Sequence, residues 1–256
     1  MDEGKHKHHS SAHGTHHRHK PSHPKDDRTM LYVCLTVAAV LLLFNQYQLA
    51  QLSQFAPAPS HSLAPGQKIS LSGGDLENVN VENLKSTAQS IAAVFPLDKV
   101  KNAQDAINMM VPTGVPSYGQ EMGVTFDDAQ GSLDVIAKKV YYEELALIKA
   151  EPENWERYLH LAARPSGITC EFCCGIGAQG ITANGEMRCG CAHNPGLLGL
   201  TMWLIRHTDM NDGEIMREVM LWKTLWFPRG MIETALKITG GDASALADAP
   251  GMVGGC

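Results

Sequence analysis

The chain is 256 residues long and acidic, with 27 Asp and Glu against 21 Lys and Arg, a net charge of −6, 12 His and 7 Cys. The charge is uneven: six basic residues face four acidic ones before Leu31, whereas fifteen face twenty-three after Phe44. An acidic C-terminal body excludes the basic footprint of a nucleic-acid binder, and its length admits one modest core.

Residues 1–29 are polar and carry His6, His8, His9, His13, His16, His17, His19 and His23 without apolar periodicity. A disordered tail is expected, its interrupted histidines suited to buffering metal ions or to nothing specific. Met30 to Phe44 is an uncharged apolar run, shorter than the ~20 residues a spanning helix needs. The uncharged stretch from Asn45 to Leu52 lets that helix continue, so a transmembrane signal anchor is expected over 30–52. Lys20, Lys25 and Arg28 flank its N-terminal side, and the next basic residue is Lys68. The positive-inside bias therefore puts the tail in the cytoplasm and the body outside it. Cleavage after Ala56-Pro57-Ala58 is the competing reading; Pro59 beyond the cut and the long N-terminal region argue against it. Residues 53–79, rich in Ser, Ala, Pro and Gly at their start, read as an extended linker.

Helical patterning begins at Val81. Leu84, Ala88, Ile91 and Phe95 predict a helix over 81–95 that Pro96 ends, and Val100, Ala103, Ile107 and Met110 predict another over 98–110. The Pro- and Gly-containing stretch 111–119 is a loop. Asp127-Asp128 reads as a turn or helix cap, with ligation of a hard cation as the alternative. The longest amphipathic helix runs from Ser132 to Ala150, with Leu133, Ile136, Val140, Leu145 and Ile148 inward. A shorter one over 153–163 turns Trp155 and Leu159 inward, and Arg164-Pro165-Ser166-Gly167 breaks the chain.

Just beyond that break, Cys170-Glu-Phe-Cys173-Cys174 and Cys189-Gly-Cys191-Ala-His193 hold five of the seven cysteines. Thiolates are soft ligands, and two pairs joined by a flexible insert can converge on one metal ion or small cluster. The pairs are Cys170 with Cys173 or Cys174, and Cys189 with Cys191; the gap in the second is tighter than zinc-finger spacing. The main candidate ligands are Cys170, Cys173, Cys189 and Cys191, with Cys174 and His193 as alternates or supports. Gly175-Ile-Gly-Ala-Gln-Gly180 matches the dinucleotide fingerprint letter for letter, but no strand precedes it and no acidic residue completes it. Its glycines read as permitting tight backbone around packed sulfurs.

Asn184-Gly185 predicts the turn of a short hairpin that brings Cys189 and Cys191 back toward Cys170 and Cys173. Asn194-Pro195 reads as N-cap and first residue of a helix running to Arg206. Cys191 and His193 then lie just ahead of a helix N-terminus, whose partial positive charge favours thiolate. Asn211 and Glu214 form a capping-box pattern ahead of a stripe of Ile215, Val219, Trp222 and Trp226 that should pack against Trp203. Pro228 ends that helix, residues 231–238 add a turn or two, and 241–256 reads as a flexible tail. Its Cys256 is either free or paired with the odd cysteine of the cluster.

The Cys-rich loop, the Cys189-Gly-Cys191 and the Asp212-Gly-Glu-Ile215 helix start resemble the PCYCGC-motif extracytoplasmic proteins over Cys170 to Glu218. A cysteine pair ahead of a helix bearing Glu-Ile is more distantly similar to the helical thiol reductases of cytochrome c maturation. The first resemblance implies metal handling, the second thiol redox work.

The expected architecture is mainly α: a single N-terminal transmembrane helix, a linker, and a helical soluble domain over 80–240 with a Cys-rich loop and short hairpin at 170–193. The expected function is metal binding by a membrane-anchored extracytoplasmic protein, with zinc or copper as Cu(I) on the cysteines and membrane lipid as the partner of the N-terminal helix. A thiol–disulfide redox protein or a disulfide-stapled domain is the alternative, because oxidised cysteines are the norm outside the cytoplasm. An iron–sulfur cluster is the third reading; an extracytoplasmic site counts against it, since clusters are assembled inside. No Ser-His-Asp set or pair of catalytic carboxylates stands out, so an enzymatic role would fall to the thiols.

Overall fold

The computed structural model describes residues 30–43, 73–246 and 248–254. The chain divides into two compact units, Met1–Ala56 and Pro57–Cys256. In the first, residues 30–43 form helix α1, whose apolar side chains are all exposed. At 1.5 Å per residue this stretch measures about 21 Å, against a bilayer hydrocarbon core of about 30 Å. Among the described residues no helix is long and apolar enough to cross a membrane. The rest of the expected span, the His-rich tail and residues 53–72 of the expected linker lie outside the described residues.

In the second unit, residues 73–79 are fixed to the body, not extended away from it as the composition of the preceding segment suggests. The Gly74 N–H donates to the Ala93 carbonyl at 2.9 Å. The 3-10 turn Leu76–Asn78 packs onto Gly213, where a Cβ would come within 2.2 Å of the Leu76 carbonyl oxygen.

The helices predicted over 81–95 and 98–110 each resolve into a 3-10 turn and a shorter α-helix. Val81–Asn83 precedes α2 (Thr87–Val94), and Leu97–Lys99 precedes α3 (Ala103–Met110). Capping inside each periodic stretch is the cause: Ser86 Oγ accepts from the Gln89 N–H at 3.3 Å and Asn102 Oδ1 from the Asp105 N–H at 3.0 Å, so the helix starts at its own cap. One turn, α4 (Gly119–Met122), follows the loop. Asp127 and Asp128 are structural. Asp127 accepts from the Gly114 N–H at 2.7 Å, and Asp128 caps α5 (Ala129–Val135) through the Gly131 N–H at 2.9 Å. The helix continues through a π-helical segment, Ile136–Val140, into α6 (Tyr141–Ile148). Next come α7 (Pro152–Ala162), with Pro152 in its first turn where no N–H is needed, and the single turn α8 (Glu171–Cys174).

Helix α9 (His193–His207) is the axis of the body. Every residue from His193 to Ile205 is buried, as a helix apolar on all sides requires. The α5–α6 run, α7 and α10 (Asp212–Trp226) pack around it. Gly199 permits a close backbone approach: a Cβ there would stand 3.0 Å from Tyr141 Cα. The Asn211–Glu214 capping box that opens α10 is present in both directions, at 2.8 and 3.0 Å. Ile215, Val219, Trp222 and Trp226 are fully buried behind it.

Pro228 ends α10 and opens α11 (Pro228–Thr239), a helix longer than the turn or two expected there. The segment after α11, expected as a flexible tail, runs back over the body. Leu246 is buried, Arg229 Nε donates to the Ala249 carbonyl at 2.8 Å, and the Val253 N–H donates to the Trp226 carbonyl at 2.8 Å.

Candidate metal centre

Cys170 precedes the single turn of α8, which closes on Gly175 in the left-handed region at φ +65°. Cys170 and Cys174 stand at the two ends of that turn, with their sulfurs 3.4 Å apart. The insert that follows is a hairpin reduced to one antiparallel bridge, Ile181 to Met187. Its turn has a three-residue loop: the Thr182 carbonyl accepts from the Gly185 N–H at 3.0 Å, the Thr182 N–H donates to the Glu186 carbonyl at 2.8 Å, and Gly185 takes φ +83°. The turn rests on α7, so tightly that a Cβ on Gly185 would come within 2.5 Å of the Trp155 ring.

Asn194, expected as the N-cap of α9, lies inside the helix, with Ala192 at the cap position. Its side chain is committed elsewhere. Nδ2 donates to the Gly180 carbonyl at 3.2 Å and to the Cys189 carbonyl at 2.9 Å. Asn194 thereby ties both arms of the hairpin to the first turn of α9 and sets Cys189 and Cys191 over α8. The backbone N–H of Asn194 interacts with the Cys191 sulfur, so the thiol stands where a helix N-terminus favours negative charge.

The sulfurs of Cys170, Cys174, Cys189 and Cys191 all lie within 4.8 Å of one another. Cys174 is 2.7 Å from Cys189, Cys170 is 3.2 Å from Cys191, and Cys170 is 3.4 Å from Cys174. These four are free thiols, Cys170 buried, Cys189 and Cys191 half-buried and Cys174 exposed. Cys173 is disulfide-bonded; its partner lies outside the described residues, as does Cys256, expected to be either free or paired with the odd cysteine of the cluster.

Hydrogen bonding and burial move the titration of Cys170, Cys174 and Cys191. The hydrogen bond with Cys170, with help from the Asn194 N–H, draws Cys191 down to about 3 against its burial. That same bond and burial push Cys170 up, and burial pushes Cys174 up to about 12. Four thiolates this close repel one another unless a cation joins them, and a soft cation replaces their protons on binding. Sulfurs about 2.3 Å from a tetrahedral zinc stand about 3.8 Å apart, so these four need to spread by roughly 1 Å at most to take an ion.

His193 is buried between Phe227 and Trp226, at ring-centroid distances of 4.7 and 6.1 Å. Its Nε2 bonds the Val253 carbonyl at 2.8 Å, and Nδ1 has no hydrogen-bond partner. A ring nitrogen of His193 lies within 4.8 Å of the sulfurs of Cys173 and Cys191.

Sequence reasoning missed two charged residues behind Cys170. Lys223 Nζ lies 2.7 Å from Glu171 Oε1, 2.7 Å from the Gly167 carbonyl and 3.1 Å from Thr87 Oγ1, with both charged side chains shut off from solvent. Burial lowers the Lys223 pKa, while Glu171 and the nearby Cys170 sulfur work the other way. The signal was the placement of Lys223 one residue after Trp222 and three before Trp226, which leaves it no solvated face on α10. No protein-family model, curated protein or solved structure matches this chain.

Proposed function

We propose that this protein binds a soft metal ion, zinc or Cu(I), through Cys170, Cys174, Cys189 and Cys191, with the apolar segment at residues 30–43 attaching it to a membrane and the body on the extracytoplasmic side. The convergence of four free thiols within 4.8 Å, drawn from two separate stretches of chain, carries the metal reading. Tetrahedral sulfur coordination suits zinc, and Cu(I) takes the same soft donors. The graded exposure of the ligands, from buried Cys170 to exposed Cys174, leaves one corner open to a transferring partner, as metal handling needs. Lipid attachment rests on the run of exposed Leu and Val side chains on α1 and on the basic residues that precede it.

The test is elemental analysis with a free-thiol count on the full chain, purified anaerobically in detergent without metal affinity. The expected result is about one zinc or copper per chain, lost in the Cys189→Ser/Cys191→Ser double variant, as for a site that needs all four ligands. Absence of metal, with thiols appearing only after reduction, overturns the reading. That outcome would favour thiol–disulfide chemistry, for which the 2.7 Å approach of Cys174 to Cys189 is the supporting observation.

A further inference from the structure

We propose that reduction of the Cys173 disulfide opens a second metal position beside the first, formed by Cys173, His193 and Cys191, with the Cys191 sulfur bridging the two ions. The inference rests on the four-sulfur reading above and adds a redox-controlled stoichiometry to it.

Two observations carry it. Cys191 belongs to both ligand groups: its sulfur lies within 4.8 Å of Cys170, Cys174 and Cys189 on one side and of Cys173 and His193 on the other. A thiolate has lone pairs enough for two soft ions, and neither group alone uses them all. The second observation is the orphaned nitrogen of His193. A carbonyl can only accept, so the Val253 oxygen fixes the proton on Nε2 and leaves the lone pair on Nδ1. That nitrogen is buried without a partner, an arrangement that is unfavourable unless something binds there. A histidine whose other nitrogen is held by a backbone carbonyl is oriented as metal-ligating histidines are.

The Cys173 disulfide withholds the third donor. A water-soluble phosphine reduces it in a balanced step: the S–S bond breaks, phosphorus gains an oxygen from water, and the two protons of that water end on the two sulfurs. A divalent ion then displaces the Cys173 proton to solvent and takes Cys173, Cys191 and His193 Nδ1 as ligands. In the cell a dithiol would serve as reductant, forming its own disulfide.

The experiment is native mass spectrometry of the full chain in detergent, loaded with zinc without reductant and then treated with phosphine. Bound zinc should double, from about one to about two ions per chain, and should stay at about one in Cys173→Ser and in His193→Asn. If zinc stays at about one in the wild type while a thiol count shows Cys173 reduced, the proposal is overturned; a second ion in either variant also overturns it. No zinc in either state instead marks failure of the four-sulfur site, and this proposal falls with it. Should His193→Asn not fold, cadmium NMR of the wild type decides. Two resonances coupled through a shared sulfur after reduction support the bridge, and uncoupled resonances overturn it.

Discussion

Lys223 and Glu171 face each other at 2.7 Å with neither side chain reaching solvent, one from α10 and one from the turn that carries Cys170. The pair locks the cysteine-bearing turn to the helix behind it, with Thr87 and the Gly167 carbonyl filling the remaining ammonium positions. Removing one partner leaves a buried charge without a counterion. Lys223→Met should therefore lower unfolding stability by about 3–5 kcal/mol, whereas Lys223→Met/Glu171→Leu together should cost far less, because two apolar groups need no desolvation offset. Urea denaturation of both variants checks this. Equal losses in the single and double variants would show that the space, not the charge, is what matters.

Elements set by local chemistry were legible in the sequence, and those set by three-dimensional packing were not. The capping box of Asn211 with Glu214 acts within four residues, and its hydrogen bonds are those the pattern predicts. The same local logic, applied to Ser86 and Asn102, would have placed the starts of α2 and α3 correctly. Asn194 looked like another cap, but its amide is taken by carbonyls five and fourteen residues upstream. The choice between Cys173 and Cys174 was not legible even with a helical turn assumed, because spacings of three and four both fall on one helix face; the structure brings the Cys174 sulfur to 3.4 Å from Cys170 and commits Cys173 to a disulfide. Trp222 and Trp226 on either side hint that Lys223 is buried, but nothing local says that Glu171, 52 residues away, shares its cavity.

Gly199 sets how closely α9 approaches the widened turn between α5 and α6. A Cβ there would meet Tyr141 at Cα, Cβ and N, at 3.0 to 3.1 Å. Backbone cannot rotate aside as a flexible side chain can. Gly199→Ala should cost about 1–3 kcal/mol through overpacking, although alanine is the better helix former by about 1 kcal/mol. Thermal denaturation reads the sign: a stabilised variant would mean that the π segment yields.

The Arg206 guanidinium gives a pH dependence separate from the cysteine cluster. Its Nε and Nη2 both donate to Glu151, each at 2.9 Å. These bonds, with one from Asn154, hold the Glu151 carboxyl down at about 2 instead of its ordinary 4.5. A carboxylate whose pKa falls on folding contributes stability that is fully present above its unfolded value and is lost as pH drops through the folded one. The difference in unfolding midpoint between wild type and Glu151→Gln should therefore be constant above pH 4.5 and vanish as pH falls to about 2. Acid titration followed by circular dichroism measures it, and a difference persisting below that range would assign the effect to packing.

Asn194 separates the role of the hairpin from that of the sulfurs. Its side chain hydrogen-bonds the Gly180 and Cys189 carbonyls, so the side chain acts on the site through the backbone that positions Cys189 and Cys191, while the Asn194 N–H that faces the Cys191 sulfur is unaffected by a side-chain change. Asn194→Leu keeps the branched shape and removes both bonds; the Gly180 carbonyl retains the Arg188 N–H at 3.0 Å, while the Cys189 carbonyl loses its Asn194 partner, at a cost of about 1–3 kcal/mol. If the four thiols take a metal, its affinity should fall by about 10- to 100-fold, as when groups supporting metal ligands are removed, while ion stoichiometry at saturation stays unchanged. Competition with a chelator of known affinity gives the first quantity and elemental analysis the second. Loss of stability without loss of affinity would show that Cys189 and Cys191 find their places without the hairpin being pinned to α9.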